Sequence, residues 1–175
     1  MNLLFLDLEM NQPSDKIIQI GYVIVDMMAD KILLDARIYV NPEEVLNPRI
    51  IELTGISQEQ VDSAPLLAEA YKKVCSDVKE HKIFMNPITW GGGDSQCLRT
   101  QLGLDQEKFI FGRRWIDTKT LYVAYSIHKK LPYAGGLKKC MSRFNIPFVG
   151  RAHDALVDAT NTYTFYKHLL TLFDK

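Results

Sequence analysis

The sequence has little that would grip a long nucleic acid, cross a membrane or form a disulfide framework. Lys plus Arg and Asp plus Glu both number 21, so the chain has no global positive field and any contact with nucleic acid must be local. The apolar run Leu3 to Leu6 is far shorter than a bilayer span, and no basic stretch precedes it as in a signal peptide. Cys75, Cys97 and Cys140 are widely separated and form no C-x-x-C pair, which favours reduced packing cysteines over disulfides or a thiolate zinc site. These absences predict a cytosolic protein.

Stretches rich in proline or serine that would divide the chain are also lacking. Hydrophobic residues make up 47% of the sequence and charged residues 24%, which is typical of a globular protein. The 175 residues are enough for one compact core and too few for two domains of ordinary size, so residues 1–175 are expected to form a single domain. Basic residues do cluster locally, and surface solvation explains these clusters at least as well as phosphate binding. The clusters are Arg113-Arg114, Lys129-Lys130 and Lys138-Lys139, with Arg143 and Arg151 nearby.

The order of apolar patterns predicts an α/β fold with a mixed sheet. Asn2 to Met10 is apolar at every position in its first half, as in a central strand covered on both faces. Two further strands follow, so the chain should begin with a three-stranded antiparallel meander. A loop region with at most short helices should extend from Asn41 to Pro65. The remaining predictions are strands at Lys16–Asp26, Lys31–Val40, Lys82–Trp90 and Arg114–Asp117, and helices at Pro65–Lys79, Asp94 or Ser95–Leu102, Thr118–His128, Gly136–Phe144 and Asp154–Phe173.

Two carboxylates lie at the end of the first predicted strand. Asp7 and Glu9 are two residues apart, so both side chains point to the same face while Leu6 and Leu8 point to the other. Two anions beside a buried strand are costly unless a cation or a hydrogen-bond network compensates them. A hard divalent metal ion would do so. The alternative is a strand that has simply reached solvent, and a D-x-E motif alone does not decide between the two.

A second pattern, H-x-x-x-x-D, joins His153 to Asp158 at the start of the last predicted helix. Five helical residues would separate the two by roughly 140° around the axis, so they cannot share a face if both are helical. With Asp154 as N-cap, His153 falls in the preceding loop and Asp158 in the first turn, and both can reach one site beyond the helix N-terminus. Taken alone, the pattern is better explained by a surface histidine and an unrelated helix aspartate.

The third candidate, Asp94, follows a predicted strand and three glycines. Glycines 91 to 93 lack side chains and would let a nucleotide or another segment of backbone approach closely, although a plain flexible turn has the same composition. Trp90, just before them, could stack on a base or simply pack at the end of a strand. The position of Asp94 at a strand-to-helix junction makes it a candidate third carboxylate.

In combination and in this order, the three motifs resemble the DEDDh exonuclease superfamily. The resemblance covers nearly the whole chain, and includes residues 17–23 (IIQIGYV) as the second strand and residues 53–56 (LTGI) in the following loop. The residues 90–94 (WGGGD) are most similar to the ERI-type and KapD-type 3′→5′ exonucleases, whereas the residues 7–10 (DLEM) are similar to oligoribonuclease. Two departures from relatives concern the substrate more than the chemistry: Met10-Asn11 follow Glu9 where many relatives have threonine, and Gly93 precedes Asp94 where some have an aromatic residue.

The resemblance implies an RNase H-like three-layer fold whose five-stranded mixed sheet begins with the meander. It also implies two Mg²⁺ or Mn²⁺ ions held by four carboxylates, a histidine general base, and a nucleic acid substrate degraded from its 3′ end, with no membrane partner. By resemblance, Met10, Asn11, Leu53 and Thr54 meet the terminal nucleotide. Trp90 is the fifth substrate-binding candidate, because its ring could stack on a base. The carboxylates are Asp7, Glu9, Asp94 and Asp158, and the histidine is His153. Three alternatives remain: an oligoribonuclease-like enzyme acting on very short RNAs, an RNase H-like endonuclease, and an inactive nucleic-acid-binding module of the same fold.

Overall fold

A mixed five-stranded sheet with helices on both faces forms the framework of the protein. The computed structural model describes residues 1–104 and 108–172 of the chain. The strand order is β3-β2-β1-β4-β5, with β1, β2 and β3 antiparallel and β4 and β5 parallel to β1. The elements are β1 Asn2–Met10, β2 Ile17–Asp26, β3 Lys31–Tyr39, α1 Pro48–Thr54, α2 Gln58–Asp62, α3 Leu67–His81, β4 Ile88–Thr89, α4 Asp94–Leu102, β5 Ile116–Asp117, α5 Thr118–His128, α6 Leu137–Ser142 and α7 Ala155–Thr171. This architecture confirms the predicted mixed sheet and the initial meander.

Strand β1 lies in the centre of the sheet and separates two hydrophobic cores. Its even-numbered residues Leu4, Leu6 and Leu8 pack in one cluster with residues of α3 and α4. The odd-numbered Leu3 and Phe5 pack on the other face, where the Phe5 ring lies 5.2 Å from that of Tyr163 and 5.5 Å from that of Tyr166 in α7. The alternation of a strand therefore directs the next two odd positions, 7 and 9, towards the start of α7.

Several predicted boundaries differ from those of the structure. The strand predicted over Lys82–Trp90 is only Ile88–Thr89; Lys82 adopts a left-handed conformation at the end of α3, and Pro87 has no N–H to give to a ladder. The predicted Arg114–Asp117 strand is likewise reduced to Ile116–Asp117, since only these residues pair with β4. Helix α6 is shorter than predicted at both ends. The predicted end of α7, Phe173, lies outside the described residues.

The loop region between β3 and α3 contains two short helices, as predicted. Helix α1 ends at Gly55, whose φ of 79° closes the helix in the left-handed region that favours glycine. Helix α2 begins with a capping box between Ser57 and Gln60. Over the residues described, we find no helix with the length and apolar character needed to cross a membrane.

Candidate active site

The side chains of Asp7 and Glu9 lie on the same face of β1 as Phe5, the face that packs against α7. Asp7 and Glu9 pair across the sheet with Gly21 and Gln19 of β2, respectively. The same face of the sheet therefore changes from aromatic core at Phe5 to two partly buried carboxylates at the carboxyl end of β1. The sequence prediction that both side chains share one wall agrees with this register.

Helix α7 approaches β2 unusually closely at its first turn, because Gly21 has no side chain there. A Cβ at Gly21 would lie 2.0 Å from the backbone nitrogen of Leu156 and 2.1 Å from the carbonyl carbon of Ala155. Two residues before Gly21, the buried Gln19 accepts a hydrogen bond at Oε1 from the N–H of Ala155, at 2.6 Å. Strand β2 thus sets the position of the helix that carries Asp158.

The beginning of α7 also has the local structure predicted from the H-x-x-x-x-D pattern. Asp154 is the N-cap, and its side chain accepts from the N–H groups of Leu156 and Val157. His153 lies in the preceding loop with a φ of 64°, a conformation that histidine adopts more readily than most residues. Its backbone N–H donates to Oδ2 of Asp158 at 3.1 Å, so the loop and the first turn are joined directly.

Asp94 reaches the same place from a third direction. It follows β4 and the three glycines as the first residue of α4, and it is 8% exposed. Burial, followed by the charge of the neighbouring Asp117, raises the pKa of Asp94 to about 7. Asp94 is also the charged group that acts most strongly on Asp7, although 87 positions separate them in the sequence (94 minus 7).

These four carboxyl groups repel one another in a partly dehydrated site. Burial raises the pKa of Asp7 well above its usual range, and the charges of Asp94, Glu9 and Asp158 raise it further. Burial, then the charges of nearby aspartates beginning with Asp158, raises the pKa of Glu9 to about 8. Burial raises the pKa of Asp158 despite the hydrogen bond that it accepts. Anions crowded in this way are compensated when a divalent cation binds among them.

Part of the cluster already has the spacing of a metal site. One ligand atom each from Glu9, His153 and Asp158 lies within 4.8 Å of the other two. Carboxylate oxygens predominate among the donors, and hard divalent cations prefer oxygen ligands. The residues present therefore fit a hard divalent cation.

A cavity of about 650 Å³ opens beside these carboxylates. Asp7, His153 and Asp158 lie at one side of it, and Trp90 and Phe148 supply aromatic walls. This volume is within the range that holds a small organic ligand or a nucleotide. The N-terminal end of α6 lines another side, including Lys138 and Lys139.

The structure places the other predicted substrate residues in two groups. Met10 lines a neighbouring cavity of about 430 Å³ together with Gly93, and Leu53 is 43% exposed. By contrast, the buried Asn11 uses its amide to bind Glu44, Val45 and Asn47, and the buried Thr54 bonds to Ile50 in the same helix, α1, and to Ile56 just after it. Their polar atoms therefore hold the end of β1, which carries Met10, and the end of α1, which carries Leu53.

Trp90 is half-buried and packs within the core while its edge lines the larger cavity. Its ring lies 5.8 Å from that of Phe165 and 6.2 Å from that of Tyr122. Packing at a strand end, the plainer of the two interpretations considered for this residue, therefore describes most of its surface.

Two positioning residues were not singled out from the sequence. Gln19 holds Ala155, and Arg37 of β3 binds the carboxylate of Asp154 through Nε at 3.2 Å and a terminal nitrogen at 2.7 Å. A signal for Gln19 existed, because it is an amide within a largely apolar run, residues 17–25 of β2. No local signal could have indicated Arg37, since its partner lies 117 positions away.

Two of the basic residues noted in the sequence have structural roles. Arg151 donates to the carbonyl oxygens of Glu52 at 2.8 Å and Leu53 at 3.3 Å, and so ties the loop before His153 to the end of α1. Arg143 donates to carbonyl oxygens in the loop before α6. These hydrogen bonds to backbone carbonyls explain the two arginines structurally, without a phosphate ligand.

The sequence of the chain matches a known family. The family model RNase_T, whose description is exonuclease, covers residues 4–166 of the chain. The chain belongs to the RNase_T exonuclease family. The predicted resemblance to DEDDh exonucleases is thereby confirmed.

Individual members of the exonuclease family support the same assignment. The chain is 26% identical over 189 residues to ERI1 exoribonuclease 2 of Danio rerio, an alignment that covers 93% of this chain and 33% of that protein. It is 30% identical over 132 residues to 3′-5′ exoribonuclease 1 of Rattus norvegicus, covering 70% of this chain and 37% of that protein. The chain thus spans little more than a third of the length of these curated relatives.

A solved member of the family has the same fold. The nuclease domain of 3′hExo, a DEDDh family member bound to rAMP, superimposes with a TM-score of 0.81 at 23% identity, over 99% of this chain and 92% of that one. The RNase H-like fold expected from the motifs is therefore the fold of this protein.

Proposed function

We propose that the chain is a metal-dependent 3′→5′ exonuclease that removes nucleoside 5′-monophosphates from the 3′ end of RNA or single-stranded DNA. The observation that carries this proposal is the convergence of Asp7, Glu9, Asp94 and Asp158 from three separate stretches of chain beside His153 and a nucleotide-sized cavity. Membership of the exonuclease family supports the same reaction. We also propose that residues 1–175 form one exonuclease domain.

The four carboxylates are assigned to holding two Mg²⁺ or Mn²⁺ ions. Asp7, which faces each of the other three, would bind both ions, Glu9 and Asp158 would complete the site nearest the nucleophile, and Asp94 would bind directly or through water. When bound, two such ions activate a water molecule and stabilise the negative charge that develops on the phosphate and on the leaving oxygen. The carboxyl groups are buried, and burial lowers the local dielectric constant. The electrostatic effect of bound ions would therefore be stronger here than at an exposed site.

His153 is assigned as the general base. It is exposed at the mouth of the cavity, and one imidazole nitrogen lies within 4.8 Å of carboxylate oxygens of Glu9 and Asp158. An imidazole can accept a proton near neutral pH, so His153 would take one from the attacking water. The new bond forms between the water oxygen and phosphorus, and the bond from phosphorus to the 3′ oxygen breaks. The 3′ oxygen of the shortened strand takes a proton from solvent and becomes a hydroxyl, and the terminal nucleotide leaves with a 5′-phosphate.

RNA is the favoured substrate. Relatives in the family are named exoribonucleases, and a structural relative was solved with rAMP. Oligonucleotides of matched sequence in RNA and DNA form test this preference, and lengths from dinucleotide upwards test the oligoribonuclease-like alternative. A cytosolic location remains a prediction from the sequence.

The decisive experiment follows the products of a 5′-labelled oligonucleotide incubated with magnesium. A ladder that shortens one nucleotide at a time from the 3′ end is expected, and chelator should stop it. Internal cuts would indicate an endonuclease, and binding without any cleavage would indicate an inactive module.

The matched pair of variants for this assay is Asp7→Asn and Asp35→Asn. Both remove one carboxylate with almost no change in shape, but Asp35 is exposed on β3, at the far edge of the sheet. Asp7→Asn should lose hydrolysis and Asp35→Asn should keep it. Cleavage by highly purified Asp7→Asn at the wild-type rate would exclude the carboxylate site as the catalytic centre.

A further inference from the structure

A second cavity lies beside the candidate active site, on the side of β5. It has a volume of about 420 Å³ and lies between α4 and the segment that leads into β5. We call it the arginine groove. Its lining includes Ser95, Gln96 and Arg99 from α4, and Arg113, Arg114 and Trp115 from the segment before β5.

The arginine groove adjoins Asp94 through the residues at the carboxyl end of the parallel strands. Asp117 and Gly92 both line the groove, and Asp117 is the charged neighbour of Asp94 described above. The carboxylate of Asp117 already forms hydrogen bonds within the protein, because its Oδ1 accepts from the N–H groups of Gly91 and Lys119, each at 2.8 Å. Between the groove and Asp94, glycines 91 to 93 present bare backbone, and a Cβ built on any of the three meets nothing within 4 Å.

The backbone that carries the two adjacent arginines is held firmly. The N–H of Gly112 donates to the carbonyl of Met85 at 2.7 Å, and that of Arg114 donates to Oδ1 of Asn86 at 3.2 Å. Trp115 donates from its indole to the carbonyl of Gly112 at 3.1 Å and packs edge-on against Phe111. The arginine side chains thus project from a fixed base, which lowers the entropy lost when they bind a ligand.

Arg113 and Arg114 are exposed, and neither guanidinium has an ion pair with a carboxylate in residues 1–104 and 108–172. Two adjacent positive charges stand out on a chain whose formal net charge is zero. A guanidinium presents a planar fork of donors that fits two phosphate oxygens at once. The volume of the groove is of nucleotide size.

We propose that the arginine groove binds the phosphodiester backbone of the substrate strand at nucleotides other than the one being removed. The inference rests on the proposed function, since it needs a strand to lie in the active site. The strand would cross the bare glycine segment, and the two arginines would bind its phosphates without reading the bases. An acidic peptide is the competing occupant, and the continuity of the groove with Asp94 favours nucleic acid.

The test measures binding separately from hydrolysis. Fluorescence anisotropy follows a labelled RNA dodecamer and a labelled dinucleotide on the Asp7→Asn protein, with and without Arg113→Ala/Arg114→Ala. The arginine changes should weaken dodecamer binding by about tenfold or more and make the slope of log K against log salt shallower by about 1.4, the value for two lost phosphate contacts on a single strand. In the active protein, the ratio of kcat/KM for dodecamer over dinucleotide should fall by about the same factor as dodecamer binding.

The matched control is Lys129→Ala/Lys130→Ala. It removes two adjacent exposed basic residues from the far end of α5, and should leave dodecamer affinity and the salt slope unchanged. Equal affinities and slopes for the arginine and lysine variants would overturn the proposal. It would also be overturned if polyglutamate displaced the dodecamer as effectively as unlabelled RNA of equal charge. A wild-type protein that hydrolyses no oligonucleotide would refute the proposed function, while the anisotropy data would still decide the groove.

Discussion

Gly21→Ala should damage both stability and catalysis, although Gly21 contacts no substrate. The added Cβ would lie 2.0 Å from the nitrogen of Leu156, against 3.4 Å for ordinary contact, so the first turn of α7 must retreat by about 1.4 Å. The obstacle is backbone and not the end of a flexible side chain, so no change of rotamer can relieve it. The retreat would also lengthen the 2.6 Å hydrogen bond between Ala155 and Gln19.

The expected cost follows from these two effects. Overpacking a close contact costs about 1 to 3 kcal/mol, and a lost hydrogen bond of this kind adds about 1 kcal/mol. For a protein of this size, a total of about 2 to 4 kcal/mol lowers the unfolding temperature by roughly 5 to 15 °C. Because Asp158 and His153 move with the helix, turnover should fall by about a hundredfold, the usual effect of a misplacement of about 1 Å.

Circular dichroism gives the unfolding temperature, and single-turnover cleavage of labelled RNA gives the rate at a temperature where the variant is folded. Gly92→Ala is the control for stability, since its added Cβ meets nothing and should change the unfolding temperature very little. Gln19→Ala is the milder probe, because it removes the acceptor for Ala155 without a steric clash. Wild-type stability and turnover in Gly21→Ala would refute the argument that β2 positions α7.

Three further outcomes are expected. Without metal, stability should fall as pH rises from about 4.5 to about 8, because the pKa of Glu9 is raised in the folded state and the folded protein binds more protons than the unfolded chain in that window. Chemical denaturation in chelator at several pH values measures the free energy of unfolding. A free energy of unfolding that rises through the window would contradict the prediction. Asp7→Asn should stabilise the metal-free protein at pH 8 and abolish the stabilisation by magnesium that is expected of wild type; thermal unfolding with and without the ion measures both, and an equal magnesium effect in the two proteins would contradict the assignment of Asp7. His153→Asn, which suits the left-handed backbone at that position, should lower single-turnover cleavage by about two to four orders of magnitude with little change in stability, whereas a rate equal to that of wild type would exclude His153 as the base.

Much of the local structure could be predicted from the sequence, because it depends on neighbouring residues. The bounds of β1 and α5 were predicted to the residue, and the Asp154 cap with His153 outside the helix followed from helical geometry. The D-x-E alternation required only that β1 be a strand. The types and order of the candidate site residues could therefore be predicted from the sequence alone.

The tertiary structure decided which distant segments meet. The sheet order β3-β2-β1-β4-β5 brings the ends of β1 and β4 together, and this places Asp94 beside Asp7. The length of β4 depends on which of its residues pair with β1 and β5. The apolar sequence alone therefore predicted a longer strand than the structure has. Whether Asn11 binds a ligand or its own loops, and where Arg37 finds a carboxylate, likewise depends on residues more than 30 positions away. Local propensities do not specify such contacts, because they arise only when the packed sheet and helices bring separate segments to one place.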